Sequence, residues 1–430
     1  MKKFYNFYSP PILFVPSGSA RLIEPGKADS PQEIPKTFCN PIGNELLSSK
    51  VIFAQKIYSS QLYYFAIFKC SFMFKVKFLL SAVACFMLVL NSHAKIWRVN
   101  NNSSVTADFT TLSAAIASSN VLSGDTIHLE PSPDSYGSAT IAKKVIIIGN
   151  GYYLDENLNL QAVPLSSKAD AITFNHGAQG SVLLGIDFRS NNVNIYCNDI
   201  VVRRCKFAGP SGSTPDWSNG SVSVQYHSNA HPNPANNIII SENYGVIITV
   251  SYASTGVLIT NNFIAYNAAS GDATTSACLS LEANAVALVK NNIFRRGRIT
   301  ANNSSFTNNI MFNGSFVGTA NLVSNNLANA AQFGSGNSNL SNVDMSTVFV
   351  GTGTGVSTDG QWKLKPGSPA IGAGFGSTPA NPIDAGMYGG SKPYVLAGIP
   401  PLPSIYSFTN QPVGSNTDPI DVTIKVRSNN

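Results

Sequence analysis

The sequence predicts an all-β protein whose main part, residues 95–390, is a single-stranded right-handed parallel β-helix, a solenoid with a short N-terminal capping helix. Short segments of similar form recur in the middle of the chain at intervals near 17–20 residues, as in solenoids. Each has an apolar residue at one position, and most have an asparagine three residues later. This part is also rich in Asn, Ser, Thr and Gly with scattered Val and Ile, which favours strands and turns.

Residues 73–94 have the three parts of a signal peptide. Lys75 and Lys77 supply positive charge, Phe78–Leu90 is an apolar run of 13 residues, and small residues precede a cleavage site after Ala94. Thirteen residues are too few to cross a bilayer as a helix, which needs about 20. We therefore expect a secreted or cell-surface protein with no membrane span in its mature chain.

A signal peptide belongs at the N-terminus, and this one follows 72 residues without a regular pattern. We expect the natural start to be Met73 and residues 1–72 to be a non-native upstream extension or disordered. The alternative is a cytosolic tail followed by an uncleaved anchor. Both interpretations place the rest of the chain outside the cytosol.

A short helix is predicted ahead of the first strands. In Phe109–Ser118 the apolar residues have helical spacing, and Asp108 or Thr110 is placed to cap the N-terminus. Strand formation is then expected to begin at Gly124–Leu129. An open solenoid needs a cap because its terminal strands expose unpaired edges.

The recurring segments align on one column, whose members are separated by 19, 38, 19, 30, 17 and 17 positions. Stacked parallel strands place like residues over like residues about 4.8 Å apart. The apolar residue three positions before each column member is therefore expected to form an internal stack. The column is Ile186, Cys205, Asn243, Asn262, Asn292, Asn309 and Asn326, and the apolar residues are Leu183, Val202, Ile240, Ile259, Val289, Phe306 and Val323.

The five asparagines of the column are predicted to form a structural ladder. Asn tolerates the left-handed backbone of a tight corner, and its amide can bond the neighbouring coil. Such a ladder would satisfy the buried polar groups of the turns. A role as ligand contacts is the alternative for these residues.

Three intervals are longer than one coil. The 38-residue interval is twice 19, which predicts a further coil around Ser221–Tyr226. The 36 residues between Asn150 and Ile186 also predict about two coils. The 30-residue interval predicts one coil extended by a loop within 267–276.

The chain resembles the pectin-lyase-like superfamily of right-handed parallel β-helix proteins, and in particular its bacterial members. The resemblance covers about 96–390 and rests on the short helix, Gly124–Ile127, Ala142–Gly149 and the Asn-ended coils. Trp362–Gly374 and Asp384–Gly390 are similar to the closing segment of bacterial members. The superfamily includes polysaccharide lyases, hydrolases and non-catalytic surface proteins, so the resemblance implies a fold and not an activity.

Residues 391–430 are predicted to form a C-terminal strap and a terminal strand. Residues 391–417 are rich in Pro and Ser, as expected of an extended segment. Asp421–Val426 then alternates in the manner of a strand.

Charge and cysteine content exclude several functions. Residues 1–94 hold ten Lys/Arg and four Asp/Glu, which accounts for the whole excess of +6, so the mature part is neutral and no nucleic-acid partner is predicted. Cys197, Cys205 and Cys278 have neither zinc nor disulfide spacing and are expected to be small buried residues.

A uronate lyase would need a base for the proton beside the substrate carboxylate and cations or a metal to neutralise that carboxylate. The weak catalytic candidates are Lys206, Lys290, Arg295 and Arg296, with Arg203, Arg204 and Arg298 as further cations. Asp187, Glu242 and Glu282 would be Ca²⁺ ligands under this alternative only, and otherwise no cofactor is predicted. Asp187 and Lys206 share one position of the repeat, so we expect them side by side, as a catalytic feature or simply as an ion pair.

The insertion 208–237 is the candidate glycan-binding surface. Trp217, Tyr226 and His227 offer ring faces that suit sugars on a polar loop. Packing of Trp217 over the flank of the solenoid is the alternative. The pair His227 and His231 lies in a Pro- and Asn-rich segment without assured helical spacing, so no metal site is predicted.

Carboxylates are too sparse for a glycosidase, which needs a converging pair. The sequence therefore favours an exported β-helix that binds glycan or is structural, with polysaccharide as its partner. The alternative is a polysaccharide lyase using the Arg/Lys residues named above.

Overall fold

Two long sheets of parallel strands make up most of the structure, and the described residues contain one short α-helix. The computed structural model describes residues 94–189, 191–209, 220–226, 233–266, 275–417 and 419–429. These residues belong to one unit, Ser92–Asn430. Residues 1–72 and the predicted signal peptide, apart from Ala94, lie outside the described residues.

The chain alternates between a ten-stranded and a twelve-stranded sheet. The ten-stranded sheet contains β1 (Ile96–Val99), β2 (Thr126–Leu129), β4 (Ile146–Ile148), β6 (Val182–Leu184), β8 (Val201–Arg203), β10 (Ile239–Ser241), β12 (Val257–Thr260), β15 (Ala287–Lys290), β18 (Ser305–Thr307) and β21 (Leu322–Ser324). The twelve-stranded sheet contains β3 (Ala139–Ile141), β5 (Ile172–Phe174), β7 (Val193–Ile195), β9 (Ser221–Val224), β11 (Tyr244–Val250), β13 (Phe263–Ala265), β14 (Ala277–Leu281), β16 (Ile293–Arg295), β17 (Arg298–Thr300), β19 (Ile310–Phe312), β20 (Ser315–Val317) and β22 (Leu327–Ala328). This all-β arrangement is consistent with a parallel β-helix.

The internal apolar column predicted from the sequence is confirmed. Its members pair in register from Leu183 to Val323 along the ten-stranded sheet. The column also continues back through Ile147 and Ile127 to Trp97. All members are buried except Val323 in the last strand, which is half-buried. Each full burial contributes roughly 1.5–3 kcal/mol of hydrophobic free energy.

Two long intervals are single coils, and the prediction of hidden coils was wrong. Val202 pairs directly with Ile240, and Ile147 pairs directly with Leu183. The strand Ser221–Val224 belongs to the other sheet of the same coil. Strand pairing fixes only the sheet positions, so the loops between sheets are free to lengthen. The 30-residue interval is one coil, as predicted, since Ile259 pairs with Val289; residues 267–274 of its expected loop lie outside the described residues.

The column asparagines lie in a continuous row of hydrogen bonds. The Oδ1 atom of Asn262 accepts from both N and Nδ2 of Asn243, at 2.9 Å each, and the same double contact repeats down the column at 2.9–3.0 Å. Each Nδ2 also donates to the carbonyl of the apolar residue one coil back, for example from Asn309 to Val289 at 3.0 Å. The row ends at Asn339, which the sequence pattern did not include.

The left-handed backbone lies one residue earlier than predicted. The residues preceding the ladder asparagines have φ between 56° and 59°, and Glu242 has φ 57°. The ladder asparagines themselves do not have positive φ. The left-handed asparagines are Asn261, Asn291, Asn308 and Asn325.

These outer asparagines bind a later segment, residues 370–400, which we call the strap. Asn261 donates to the carbonyls of Met387 at 2.9 Å and Gly389 at 2.8 Å. Farther along the coils, Asn325 donates to Ala373 at 3.3 Å. The strap therefore runs from the late coils back to the early ones, and it begins before residue 391, where composition placed it.

Charged residues replace asparagine at the corner of the earlier coils. Glu242 accepts from Arg204 at 2.6 Å and from Arg203 at 2.5 Å, and Arg204 also donates to the carbonyl of Ile399 in the strap at 2.8 Å. Glu242 is buried. Two guanidinium groups thus compensate one buried carboxylate, and this carboxylate was a predicted Ca²⁺ ligand.

The N-terminal helix α1 covers only Leu112–Ala117. It follows β1, which pairs with β2, so the prediction that the strands begin at Gly124–Leu129 was wrong. Its cap is Thr111, whose side chain accepts from the Ala114 N–H at 3.2 Å, so the predicted caps Asp108 and Thr110 were wrong. Phe109 instead forms a parallel bridge with Val99, which shortens the helix at its start.

The C-terminal part contains three 3-10 helices, Met345–Thr347, Gly360–Trp362 and Leu396–Gly398. An antiparallel hairpin of β23 (Ser404–Asn410) and β24 (Val422–Arg427) follows the strap. The predicted terminal strand is β24, shifted by one residue.

We predict that Asn309→Ala lowers the free energy of unfolding by about 2–4 kcal/mol. The substitution removes the acceptor of the buried Asn292 backbone N–H and of Asn292 Nδ2, and it removes a donor to the carbonyl of the buried Val289. Urea unfolding followed by circular dichroism measures the change. The exposed Asn284→Ala is the control and should change stability by less than about 0.5 kcal/mol; equal losses for both would contradict a cooperative ladder.

The double variant Asn261→Gly/Asn291→Gly should loosen the strap. Glycine keeps the left-handed backbone, so the loss is confined to side-chain amide contacts. These are the contacts to Met387, Gly389, Asp384 and Gly386 of the strap and the hydrogen bond that Asn291 Oδ1 accepts from Asn308. We expect faster chymotrypsin cleavage after the exposed Phe375, detected by mass spectrometry.

Asn303→Gly is the matched control for the strap variant. Asn303 is also left-handed, with φ 52°, but its side chain donates to Ala283 at 3.3 Å and not to the strap. Cleavage after Phe375 at the same rate in this variant and the double variant would show that strap contacts are not what protects the site.

Candidate functional site

A polar pocket of about 340 Å³ lies just beyond the corner of the early coils. It is lined by three acidic and three basic residues, so its formal charge is zero. Tyr153, Ser166 and two prolines complete much of the wall. The charged residues are Asp155, Glu156, Lys168, Asp187, Arg189 and Lys206.

Lys206 and Asp187 lie side by side, as the shared repeat position predicts. Parallel bridges join Lys168 to Asp187 and Asp187 to Lys206, so the three charges alternate from coil to coil. The Lys206 Nζ is 3.1 Å from Asp187 Oδ2, and both side chains are 7% exposed. At this burial the ion pair needs further hydrogen bonds to compensate for lost hydration.

Those further contacts are present around the pair. The Asp187 carboxylate accepts from the Arg189 N–H at 3.1 Å and from Ser166 Oγ at 3.4 Å. The Lys206 ammonium lies 4.6 Å from the centroid of the Tyr153 ring, within cation–π range. The pair therefore forms a fixed floor for the pocket.

The rim is built from less regular backbone. Tyr153 and Arg189 both have φ 49°, which is uncommon for residues other than glycine. Glu156 accepts from Thr358 N at 2.5 Å and from Thr358 Oγ1 at 3.1 Å. A segment 202 residues later in the chain thus holds one wall of the pocket.

A buried tyrosine cluster supports the pocket from below. Tyr153 packs edge-on against Tyr152 and Tyr244, with 5.5 Å between ring centroids in each case. The Tyr152 and Tyr394 hydroxyls are 2.8 Å apart. Tyr394 donates at 3.1 Å to the fully buried Asp359, which also accepts from the Ala397 N–H at 2.6 Å.

The ionisation of this cluster is strongly disfavoured. Burial, and then the Asp359 charge, raise the pKa of Tyr152, Tyr388 and Tyr394 well above the ordinary tyrosine value. Burial also raises the pKa of Tyr136 near the first strands to about 12. The tyrosines therefore act as neutral hydrogen-bonding groups that join strap and coils.

The other lyase candidates do not reach the pocket. Lys290 is on β15 between Thr260 and Thr307 of neighbouring strands. Arg295 is on β16, 4.2 Å from the Phe312 ring. The coils of Lys206 and Arg295 are three rungs apart, about 14 Å at the usual strand spacing.

Three further lyase residues also lie apart from it. Arg296 is at a left-handed corner with φ 65°, and Arg298 is on β17. Glu282 accepts from the N–H of its neighbour Asn284 at 2.8 Å. The proposed Arg/Lys set is thus divided, and only Lys206 and Asp187 share a pocket.

The predicted glycan-binding loop is described only in part. Tyr226 packs edge-on against Tyr252, with 4.1 Å between ring centroids, and Tyr252 is exposed. Trp217, His227 and His231 lie outside the described residues.

Metal binding and thiol ionisation are both disfavoured in the described part of the chain. No group of three His, Cys, Asp or Glu side chains there is arranged to hold a metal. Cys197, Cys205 and Cys278 are buried, and burial raises the pKa of each thiol to about 12. Nor does any helix in the described ranges have the length and apolarity needed to span a membrane.

Comparison of the chain with protein-family models, with curated proteins and with solved structures gives no match.

Several pocket residues were missed by sequence reasoning. Lys168 precedes Asp187 by the interval that separates Asp187 from Lys206, so the repeat contained a usable signal. Tyr153, Asp155 and Glu156 lie in a non-repeating segment, and nothing in its pattern indicated a pocket wall.

We predict alkaline destabilisation that originates in the tyrosine cluster. Below pH 10 tyrosine is neutral in both states, so the full stability is present. As the pH rises further, the unfolded chain ionises first, and stability falls until the pH has passed the raised pKa values of the folded state.

Tyr394→Phe tests this. It should cost about 1–3 kcal/mol at pH 8 through its lost hydrogen bonds. It should also reduce the alkaline slope by up to about 1.4 kcal/mol per pH unit. Urea unfolding at pH 8 and pH 11 gives both quantities, with Tyr406→Phe as control; an unchanged slope in Tyr394→Phe would refute the assignment.

Proposed function

We propose that the chain is an exported right-handed parallel β-helix protein of the pectin-lyase-like type that binds a polysaccharide without cleaving it, with the polar pocket as its binding site. The fold part of the proposal is supported by the in-register parallel strands, the asparagine ladder and the short helix near the N-terminal end of the sheets. The observation that carries the function is the pocket with fixed charges of both signs around Tyr153.

The chemistry of the pocket suits sugar hydroxyls. A hydroxyl both donates and accepts, so it pairs with carboxylates such as Asp155 and with cations such as Arg189. Tyr153 and the prolines offer apolar surface for the C–H face of a ring. A volume of about 340 Å³ is in the usual range for small-ligand sites and suits one or two sugar units.

Binding without cleavage is favoured by how the charges are used. The Lys206 Nζ lies 3.1 Å from Asp187 Oδ2, so the ammonium is already paired with a carboxylate. Glu242 is committed to two arginines. A lyase would need a free base beside a cation or Ca²⁺ site, and the remaining candidates are rungs away.

The alternative function is a uronate lyase. Its support is one feature: a lysine and a carboxylate lie within a substrate-sized pocket. It would use Arg295 and Arg296 for the substrate carboxylate, which requires a polymer that spans several coils.

Export is supported by sequence alone. Residues 73–94 combine two lysines, an apolar run and small residues before Ala94. We propose that the protein is secreted or held at the cell surface. Its neutral mature part is consistent with a polysaccharide partner and gives no basis for nucleic-acid binding.

Arg189→Ala should weaken polysaccharide binding at least tenfold while the fold is retained. Arg189 is exposed on the pocket rim, and a lost charge-assisted hydrogen bond is worth about 1.5–3 kcal/mol. Isothermal titration calorimetry against a panel of neutral and acidic polysaccharides measures the affinity. The same panel is assayed for the ultraviolet absorbance of unsaturated uronate products.

Arg296→Ala is the matched control. Both arginines have left-handed backbone, but Arg296 does not line the pocket. Unchanged binding in Arg296→Ala with no unsaturated product supports the proposal. Unsaturated product that disappears in Arg296→Ala would establish the lyase, and no binding to any member of the panel would refute both functions.

A further inference from the structure

The hairpin β23–β24 has one face that is apolar and open. Val422, Ile424 and Val426 alternate along β24 and therefore point to one side. The register places Phe408 opposite Ile424 and Ile405 opposite Val426. These five side chains are 45–66% exposed.

One backbone edge of the hairpin is also open. The Asp421 carbonyl accepts from the Gln411 N–H at 3.0 Å, so this residue faces β23. In a strand, the N–H and C=O groups of successive residues point to opposite edges. Those of Val422, Ile424 and Val426 therefore face the edge of β24 that is away from β23. Among the described residues no strand pairs with that edge, and the sheet has two strands only. An isolated hairpin is marginally stable, and an apolar open edge is a template for another strand.

We propose that β24 pairs antiparallel with β24 of a second copy of this chain across a two-fold axis at Ile424. This pairing uses the three residues whose backbone groups face the open edge. It places Ile424 against its own copy and Val422 against Val426 of the second copy. An antiparallel pair of identical strands is compatible with a closed two-fold dimer.

Charge complementarity indicates that the strand pairing with the open edge of β24 comes from a second copy of this chain. With Ile424 on the axis, Asp421 lies opposite Arg427 of the second copy, and the contact occurs twice. Within the described part of one chain, neither residue is in an ion pair. Arg427 donates to the Leu160 carbonyl at 3.1 Å, which anchors it beside the hairpin without neutralising its charge. Opposite charges on facing strands stabilise the pairing, whereas like charges there oppose it.

This inference goes beyond the proposed function and does not depend on it. The test measures the molar mass of the species that the full chain forms in solution, by sedimentation velocity and sedimentation equilibrium. We expect a species of twice 45.7 kDa. Asp421→Lys and Arg427→Glu should each raise the dimer dissociation constant at least tenfold, because each places like charges opposite one another twice.

The two variants mixed in equal amounts should dimerise again. In the mixed dimer Lys at 421 faces Glu at 427, and the native Asp421 faces the native Arg427. Val422→Pro, which removes an N–H on the open edge, should also give monomers. Phe408→Ser is the matched control, because it removes an equally exposed apolar side chain from β23, which does not pair with the second copy, and it should leave the dimer intact.

Circular dichroism and thermal unfolding of every variant show whether the parallel sheets remain folded. A monomeric wild-type chain at the highest soluble concentration overturns the proposal. So do dimers that persist in Val422→Pro, or a mixture of the two charge variants that stays monomeric while each variant remains folded.

Discussion

The hydrogen bonds of the asparagine ladder impose the constraint on which the rest of this structure depends. Each ladder asparagine accepts from the coil before it through Oδ1 and donates through Nδ2, at distances of 2.9–3.0 Å. An amide accepts through its oxygen and donates two hydrogens through its nitrogen, whereas a carboxylate only accepts and a hydroxyl has a single hydrogen to donate. Every coil must therefore turn at the same point, and this alignment keeps the apolar column, from Leu183 to Phe306, stacked in register in the interior.

The two asparagines of each recurring Asn-Asn doublet have different structural roles. The first asparagine takes the left-handed backbone and directs its amide outward to the strap, as Asn261 does with Met387 and Gly389. The second forms the internal ladder. A corner that turns tightly and also binds a returning chain needs both, which explains why the doublet persists where the loops vary. In the earlier coils Arg204 and Glu242 replace the outer asparagine. They form an ion pair with each other, and Arg204 also donates to the Ile399 carbonyl of the strap.

The returning strap connects the fold to the pocket. Tyr394 and Ala397 of the strap bind Asp359, and Tyr394 bonds to Tyr152, the neighbour of the pocket residue Tyr153. The position of Tyr153 therefore depends on residues more than two hundred positions away. Loss of the strap should disturb the pocket before it disturbs the coils, since the coils keep their own ladder.

The repeat pattern by itself determined the internal column, the position of the ladder and the adjacency of Asp187 and Lys206, because parallel stacking converts sequence intervals directly into contacts. It did not determine coil lengths. The 38 residues from Cys205 to Asn243 are one coil, and only strand pairing shows where the extra residues go. The polar pocket likewise depended on tertiary structure: Glu156 meets Thr358 across 202 residues, and Tyr153 has no repeat partner. A periodic signal describes contacts between neighbouring coils, whereas much of the pocket wall is built by residues 153–166, which have no counterpart in the repeat.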